Sequence, residues 1–269
     1  MYYDFYGFDE PPFNITPDPR FLFFSEKHRE AFNHMLFGLR ERKGFIQITG
    51  EIGAGKTTIC RALLQQLDPD KYRTALVLNP MMSSIQLLRT ILREFDLKWG
   101  GNDRVRLLQR LNAFLLDQFE AGRDVVLIID DAQAMTVDTL EQVRLLSNLE
   151  TDQSKLLQIV LIGQPELRQK LAQLEQLRQR ITVRYHLRPL ELNETVYYIQ
   201  HRLAVAGSRR PPLFSRWAVR TVQSYSRGVP RLINAVCDKA LLCGYVHQTH
   251  DLRVRHVRRA IRELEGEAS

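Results

Sequence analysis

The chain has 269 residues, of which 44% are hydrophobic and 26% are charged. These proportions support a buried core and exclude a low-complexity or disordered protein, and the length suits one α/β domain with a smaller helical domain. The formal net charge of +7 is compatible with nucleic acid, anionic lipid or an acidic protein as partner, while the arginines between 178 and 262 also suit ordinary solvated helix faces.

The cysteines and the hydropathy pattern indicate a cytoplasmic protein. Cys60, Cys237 and Cys243 are odd in number and show no spacing typical of a metal site, so we expect reduced thiols. The N-terminus lacks the features of a signal peptide, and no apolar run approaches the roughly 20 residues that a membrane helix needs.

The first two thirds of the chain alternate between strand and helix patterns. Residues 1–24 are rich in aromatic residues and proline and are expected to form an extended arm packed on the protein. Hydrophobic periodicity then predicts strands at 45–49, 74–79, 125–130, 156–163 and 181–187, and helices at 26–41, 56–67, 83–95, 103–121, 136–150 and 165–173. Because the strands are apolar along their length, they indicate a parallel sheet covered on both faces.

The last third shows helical patterns without strand candidates. Helices are predicted at 193–206, 215–226, 229–247 and 253–264. The change of pattern after Pro189 predicts a domain over residues 1–190, arm included, followed by a helical domain over residues 191–269.

The strongest motif is a glycine-rich loop between a predicted strand and a predicted helix, formed by Gly50, Glu51, Ile52, Gly53, Ala54, Gly55, Lys56, Thr57 and Thr58. Its first eight residues match the pattern G-x-x-x-x-G-K-[ST] of phosphate-binding loops. The glycines permit a tight turn whose N–H groups can face phosphate oxygens, and the helix N-terminus adds partial positive charge. Lys56 is expected to reach the β- and γ-phosphates of ATP, and Thr57 to bind Mg²⁺. The alternative is a glycine-rich turn with an exposed lysine.

Polar residues also follow two later strands. Asp130 and Asp131 end the apolar run that begins at Val125, where a parallel strand delivers its carboxylate to the ligand-binding edge of the sheet. Asp130 is therefore a candidate Mg²⁺ ligand, and Asp131 a candidate for polarising the attacking water. Gln164 follows the next strand and is a candidate for sensing the γ-phosphate or orienting water. For the two aspartates, the alternative is an ordinary Asp-rich turn after a buried strand. For Gln164, the alternative is a polar residue that simply begins the next helix.

Two arginine-bearing motifs come last. Arg178 and Arg180 immediately precede the final strand, and Arg231 lies in a Gly-Val-Pro-Arg sequence at the start of a helix. An arginine at either place can neutralise charge on a transferring phosphoryl group. At each of the two places, the spacing is equally compatible with an arginine that is an ordinary surface charge.

Taken in order, these motifs resemble the AAA+ ATPases, and more narrowly the general secretion pathway protein A family with related ATPases of pilus and exopolysaccharide systems. The resemblance covers essentially the whole chain and includes the segments GFIQITGEIGAGKTT, DDAQ, LIGQPELRQKL, LRQRITVRYHLRPL and GVPRLINAVCDKALL. It implies the P-loop NTPase (AAA+) fold, an αβα sandwich with a parallel sheet, followed by a small all-helical lid domain.

The resemblance also implies individual roles. It implies that Asp130 is the Walker B aspartate and that Gln164 occupies the sensor 1 position. It matches Arg180, or else Arg178, to the arginine finger that reaches a neighbour's ATP. It matches Arg231 to the sensor 2 arginine. The family usually has Glu at the position of Asp131, whose shorter side chain puts the rate of hydrolysis in doubt. Longer members carry a membrane segment after the ATPase region, so an inner-membrane tether would come from a region or partner outside this chain.

The leading hypothesis is an ATP-hydrolysing switch or motor that forms a homo-oligomeric ring or filament and remodels secretion or envelope assembly proteins. The alternative is an ATP-dependent DNA-binding regulator similar to transposition ATPases, which the arginines at 253–262 favour. A third hypothesis is a nucleotide-gated scaffold without useful turnover, prompted by Asp131. Kinase function is disfavoured, since no motif for a small acceptor is found.

Overall fold

The structure, a computed structural model, describes residues 2–14, 19–101, 103–151, 154–208 and 211–267. These residues fall into two compact units. The sheet unit contains Lys27–Gly50 and Ile59–Leu187, and the helical unit contains the described residues of Met1–Glu26, Glu51–Thr58 and Arg188–Ser269. Each unit has its own hydrophobic core.

The helices and strands follow the chain in the predicted alternation. The α-helices are α1 (Tyr2–Tyr6), α2 (Glu26–Arg40), α3 (Lys56–Gln66), α4 (Ser84–Glu94), α5 (Arg104–Glu120), α6 (Val137–Leu146), α7 (Pro165–Gln173), α8 (Glu175–Arg180), α9 (Leu192–Val205), α10 (Arg216–Ser226), α11 (Pro230–Val246) and α12 (Val254–Leu264). The strands are β1 (Phe45–Gly50), β2 (Tyr72–Val77), β3 (Asp124–Ile129), β4 (Leu157–Gly163), β5 (Ile181–Leu187), β6 (Leu213–Phe214) and β7 (Asp251–Leu252). Short 3-10 helices lie at Pro19–Phe21 and Ala132–Ala134.

The sheet unit is built on a parallel sheet with the strand order β2-β3-β4-β1-β5. Strands β1 and β4 are buried at every residue, which explains why their sequences are mainly apolar, although Gln47, Thr49 and Gln158 are buried polar residues within them. Thr49 of β1 pairs with Gly163 of β4, and Ile129 of β3 pairs with Leu161 of the same strand. The parallel sheet predicted from the sequence is therefore confirmed, and β1, β3 and β4 end side by side at its carboxyl edge.

Differences from the predicted elements are small. Strand β2 begins two residues before the predicted strand. Helix α6 ends at Leu146 rather than at 150, because Glu150 forms an isolated antiparallel bridge with Lys155 before β4. The short helix α8 was not predicted. The C-terminal region is helical as expected, with the addition of the two-residue strands β6 and β7, which pair in parallel.

The described part of the N-terminal arm packs in the core of the helical unit rather than in that of the sheet unit. Tyr2, Tyr6, Phe8 and Phe13 are buried with side chains of α9, α10 and α11. Arg202 of α9 ties the arm down further by donating to two of its backbone carbonyls, those of Pro12 at 2.5 Å and Asn14 at 2.9 Å. Part of the expected extended arm is helical, as α1, and residues 15–18 of the predicted arm lie outside the described residues.

The predicted domain boundary between residues 190 and 191 stays a prediction. Among the described residues, none of the helices combines the length and the apolar character required to cross a lipid bilayer.

Candidate functional site

The glycine-rich loop has the backbone of a phosphate-binding loop. Gly53 and Gly55 have φ values of +79° and +98°, in the region that L side chains rarely adopt. The turn is closed by a hydrogen bond from the Ala54 N–H to the Glu51 carbonyl at 3.1 Å. The Lys56 side chain curls back over the loop, and its Nζ donates to the same Glu51 carbonyl at 2.8 Å. The ammonium group of Lys56 therefore lies over the loop rather than pointing away into solvent.

The loop has the chemistry that a nucleoside triphosphate with Mg²⁺ requires. Helix α3 begins at Lys56, so the first-turn N–H groups and the partial positive charge of the helix follow directly after the glycines. Lys56 adds a full positive charge, and its side chain is only 7% exposed. Thr57 and Thr58 contribute half-buried hydroxyl groups next along the helix. These residues fit the triphosphate that the motif predicts.

In the helical unit, the loop touches the start of α11 at the predicted sensor arginine. The Arg231 N–H lies 3.4 Å from the Gly53 carbonyl oxygen. A Cβ atom added at Gly53 would lie 2.5 Å from the Arg231 Cβ and 3.4 Å from a Val229 methyl carbon. Such close approach requires glycine at position 53, so the structure brings the phosphate-binding loop and the Gly-Val-Pro-Arg motif together at their backbones.

In the sheet unit, Asp130 extends β3 at the carboxyl edge and is 3% exposed. Its N–H donates to the Val77 carbonyl of β2 at 2.9 Å, which continues the ladder of the sheet. Cys60 of α3 is fully buried, and its pKa is raised to about 12 by burial and then by the negative charge of Asp130. The described residues contain no cluster of three or more His, Cys, Asp or Glu side chains suited to a metal. A single carboxylate such as Asp130 nevertheless suits Mg²⁺, which is commonly shared with phosphate oxygens.

Asp131 adopts a left-handed backbone conformation immediately after Asp130. Its φ and ψ angles are 52° and 34°, a region that aspartate tolerates better than most residues. Its N–H donates to the Asp130 Oδ1 at 2.8 Å, and its side chain is exposed. The sharp turn thus separates the two carboxylates, with Asp130 buried and Asp131 open to solvent.

Gln133 connects Asp131 with Gln164, the residue after β4. Its Nε2 donates to the Asp131 Oδ1 at 3.0 Å, and its Oε1 accepts from the Gln164 N–H at 3.0 Å. Lys170 of α7 holds the same turn by donating from Nζ to the carbonyls of Gln133 at 2.5 Å and Met135 at 3.0 Å. Two sequence-predicted site residues, Asp131 and Gln164, are therefore joined through a third residue.

The two candidate finger arginines differ in their surroundings. Arg178 is exposed on α8. Arg180 is half-buried and donates to the Ser147 Oγ at 2.8 Å. Burial, and then the positive charge of Arg180, lower the pKa of Lys155. Within the sheet unit, neither arginine bonds to Asp130, Asp131 or Gln164.

Sequence reasoning missed Gln133 and Lys170. The signal for Gln133 was present, because it is an amide side chain in the short turn directly after a strand that ends in two aspartates. No sequence signal marked Lys170, since one lysine on an amphipathic helix is indistinguishable from a solvated charge.

Comparisons with known proteins agree with this geometry. A family described as AAA domain matches residues 39–171. General secretion pathway protein A of Aeromonas hydrophila is 45% identical over 269 residues, which is 99% of this chain and 49% of that protein. The chain thus spans about half the length of this curated relative.

Solved structures support the fold. The ORC2 protein of Aeropyrum pernix has a TM-score of 0.67 at 17% identity, covering 97% of this chain and 73% of that one. Cdc6p from Pyrobaculum aerophilum has a TM-score of 0.71 at 15% identity, covering 95% and 71%. The RuvB Holliday junction branch migration motor of Thermotoga maritima has a TM-score of 0.57 at 16% identity, covering 88% and 69%.

These likenesses confirm the predicted α/β P-loop fold with its helical remainder. The AAA domain, together with the match along nearly the whole chain to a general secretion pathway protein A, supports an AAA+ ATPase similar to that family.

Proposed function

We propose that the chain binds ATP with Mg²⁺ and hydrolyses it as a switch or motor. The observation that carries the proposal is the loop in which Gly53 and Gly55 take left-handed conformations directly before the helix that begins at Lys56. In this proposal Gly50–Thr58 binds the phosphates, and Mg²⁺ held by Thr57 and Asp130 supplies charge neutralisation for phosphoryl transfer.

The other residues of this chain would position the attacking water and read the nucleotide state. Asp131 accepts a proton from the water, and Gln164 lies at the end of the adjacent strand as a second polar contact. Arg231, whose N–H approaches the carbonyl of Gly53, connects the loop with α11. A change in the loop would therefore reach α11 through this backbone contact.

Steady-state hydrolysis by wild type and Lys56→Ala tests the activity. We expect phosphate release from the wild type that depends on Mg²⁺, and loss of both ATP binding and turnover in the variant. Lys71→Ala is a matched control, because Lys71 is an exposed lysine that forms a long ion pair with Asp68 at 3.9 Å. Wild-type protein that neither binds ATP nor releases phosphate would contradict the proposal.

We further propose that protomers assemble into a ring or filament whose sites are completed by an arginine of the neighbour. Arg178 is the better placed candidate, since Arg180 is already bonded to Ser147 in its own chain. Arg178→Ala should then lose turnover and keep ATP affinity. Mixing it with Lys56→Ala should restore activity, because each variant supplies what the other lacks. Loss of ATP affinity in Arg178→Ala would contradict a role in the neighbour's site.

The name of the Aeromonas relative supports a role in secretion. We propose that ATP-driven changes in this chain act on proteins of a secretion or envelope assembly, from the cytoplasmic side of the inner membrane, with any tether lying outside these residues. The chain spans about half the length of that relative, so the proposal concerns the ATPase part alone.

A second candidate function, ATP-dependent DNA binding, is favoured by one observation. Helix α12 turns His256, Val257 and Ala260 inward, while its exposed side carries arginines and the sequence 252–262 contains no acidic residue. The exposed arginines of this region are Arg253, Arg255, Arg258 and Arg262. Such a surface can neutralise several phosphates, which would make binding steeply dependent on salt.

Fluorescence anisotropy with duplex DNA, in MgATP and in MgADP at two salt concentrations, tests this second function. Binding that needs ATP and weakens with salt would support it, and replacing Arg258 and Arg262 by alanine should then flatten the salt dependence. If the affinity for duplex DNA is weak and does not depend on the nucleotide, the DNA-binding function is refuted and the secretion role is retained.

A further inference from the structure

Gln133 lies in the 3-10 turn after β3 and has no part in the roles assigned above. Its side-chain amide spans two elements, since Nε2 donates to the Asp131 Oδ1 and Oε1 accepts from the Gln164 N–H, each at 3.0 Å. Both partners lie at the carboxyl edge of the sheet, after β3 and β4 respectively. One side chain thus links the ends of two neighbouring strands.

The two partners fix the orientation of the amide. A carboxylate oxygen can only accept and a backbone N–H can only donate, so the Gln133 side chain satisfies both in a single orientation. A flipped amide would set its oxygen against the Asp131 carboxylate and its NH₂ against the Gln164 N–H. The link therefore specifies both a distance and a direction for the Asp131 carboxylate.

The surroundings of Gln133 favour this single arrangement. A Cβ atom at Gly163 would lie 2.9 Å from the Gln133 Oε1 and 2.8 Å from a Leu167 methyl carbon, so glycine is what lets the amide reach the end of β4. The Lys170 Nζ holds the main chain of the turn at the carbonyls of Gln133 and Met135. The amide is therefore anchored at its backbone as well as at its tip.

We propose that Gln133 is a positioning residue that couples the Asp131 carboxylate to the end of β4, so that Asp131 and Gln164 respond together to the nucleotide. The hydrogen bond from Gln133 fixes the orientation of the exposed Asp131 side chain. The left-handed backbone of Asp131 does not fix that orientation by itself. The coupling also transmits any displacement of the β4 end to the carboxylate that activates water. This inference rests on the proposed ATPase function.

Gln133→Leu removes both hydrogen bonds while keeping similar volume. We expect kcat to fall about tenfold or more, because a misplaced catalytic group costs up to about a hundredfold, whereas affinity for a fluorescent ATP analogue stays unchanged. Gln173→Leu, at an exposed position near the end of α7, is the matched control and should behave as wild type. In an Asp131→Ala background, Gln133→Leu should cause no further loss, since it acts through Asp131.

Hydrogen exchange of the Gln164 amide gives a readout independent of turnover. This amide should exchange faster in Gln133→Leu than in wild type or Gln173→Leu. Gln133→Glu keeps an acceptor for Gln164 but sets a like charge beside Asp131, so it should retain protection and still lose turnover.

Equal exchange in wild type and Gln133→Leu would overturn the coupling, as would unchanged turnover in Gln133→Leu or an equal loss of ATP affinity. Wild-type protein without turnover refutes the proposed activity instead, and the exchange experiment then decides the coupling by itself.

Discussion

Replacing Gly53 by alanine is expected to weaken ATP binding by about 5–30-fold without unfolding the protein. At a φ of +79°, an L side chain costs about 1–2 kcal/mol. This energy opposes the loop conformation that binds ATP, and it therefore lowers the affinity. The new Cβ would also lie 2.5 Å from the Arg231 Cβ, well inside the roughly 3.5–4.0 Å of ordinary carbon contacts. The contact adds to the strain, so the estimate is a lower bound.

Titration with a fluorescent ATP analogue measures the affinity, and urea unfolding measures stability. Gly122→Ala is the matched control, because Gly122 has a φ of +70° but nothing within 4 Å of an added Cβ. It should lose about 1–2 kcal/mol of unfolding free energy and keep its ATP affinity. Wild-type affinity in Gly53→Ala, or an equal loss of affinity in both variants, would refute the reasoning.

Three further predictions concern single side chains. Asp131→Glu should raise the single-turnover rate of ATP hydrolysis if the shorter carboxylate limits reach, and an unchanged rate would mean that another group holds the water. Tyr198→Phe should lower the free energy of unfolding in urea by about 1–3 kcal/mol, because the buried Asn234 Oδ1 loses its donor at 2.8 Å, whereas Tyr197→Phe at an exposed position should not. The pKa of Cys60 is raised from 9.0 to about 12, so its stabilising contribution is complete below pH 9 and is lost as pH rises through 12. Stability should therefore fall less steeply above pH 9 in Cys60→Ala than in wild type, and equal slopes would contradict this.

The sequence predicts well what is encoded in contiguous residues. Strand β5 and helix α7 have the predicted limits, because Pro189 follows closely after β5 and Pro165 favours the first turn of α7. The glycine-rich loop was predicted since its function depends on one unbroken segment, Gly50–Thr57, whose glycines carry the required conformation. The same holds for the two aspartates after β3.

Contacts between distant segments could not be predicted. The approach of Arg231 to Gly53 brings together residues that are 178 positions apart in the chain, and no local sequence pattern encodes such a contact. Likewise, the Gln133 bridge to Gln164 depends on β3 and β4 lying side by side. The aromatic residues of the arm likewise indicated burial without indicating which core would receive them.

The place of β1 between β4 and β5 has a consequence for biosynthesis. This strand carries the start of the glycine-rich loop, yet both of its partners, β4 and β5, come more than a hundred residues later in the chain. At roughly 5–20 residues per second, a ribosome needs about 7–30 seconds after finishing β1 to complete β5. For most of that interval β1 lacks both neighbours, and β5 is missing until its end, so β1 is a natural binding segment for a chaperone on the nascent chain.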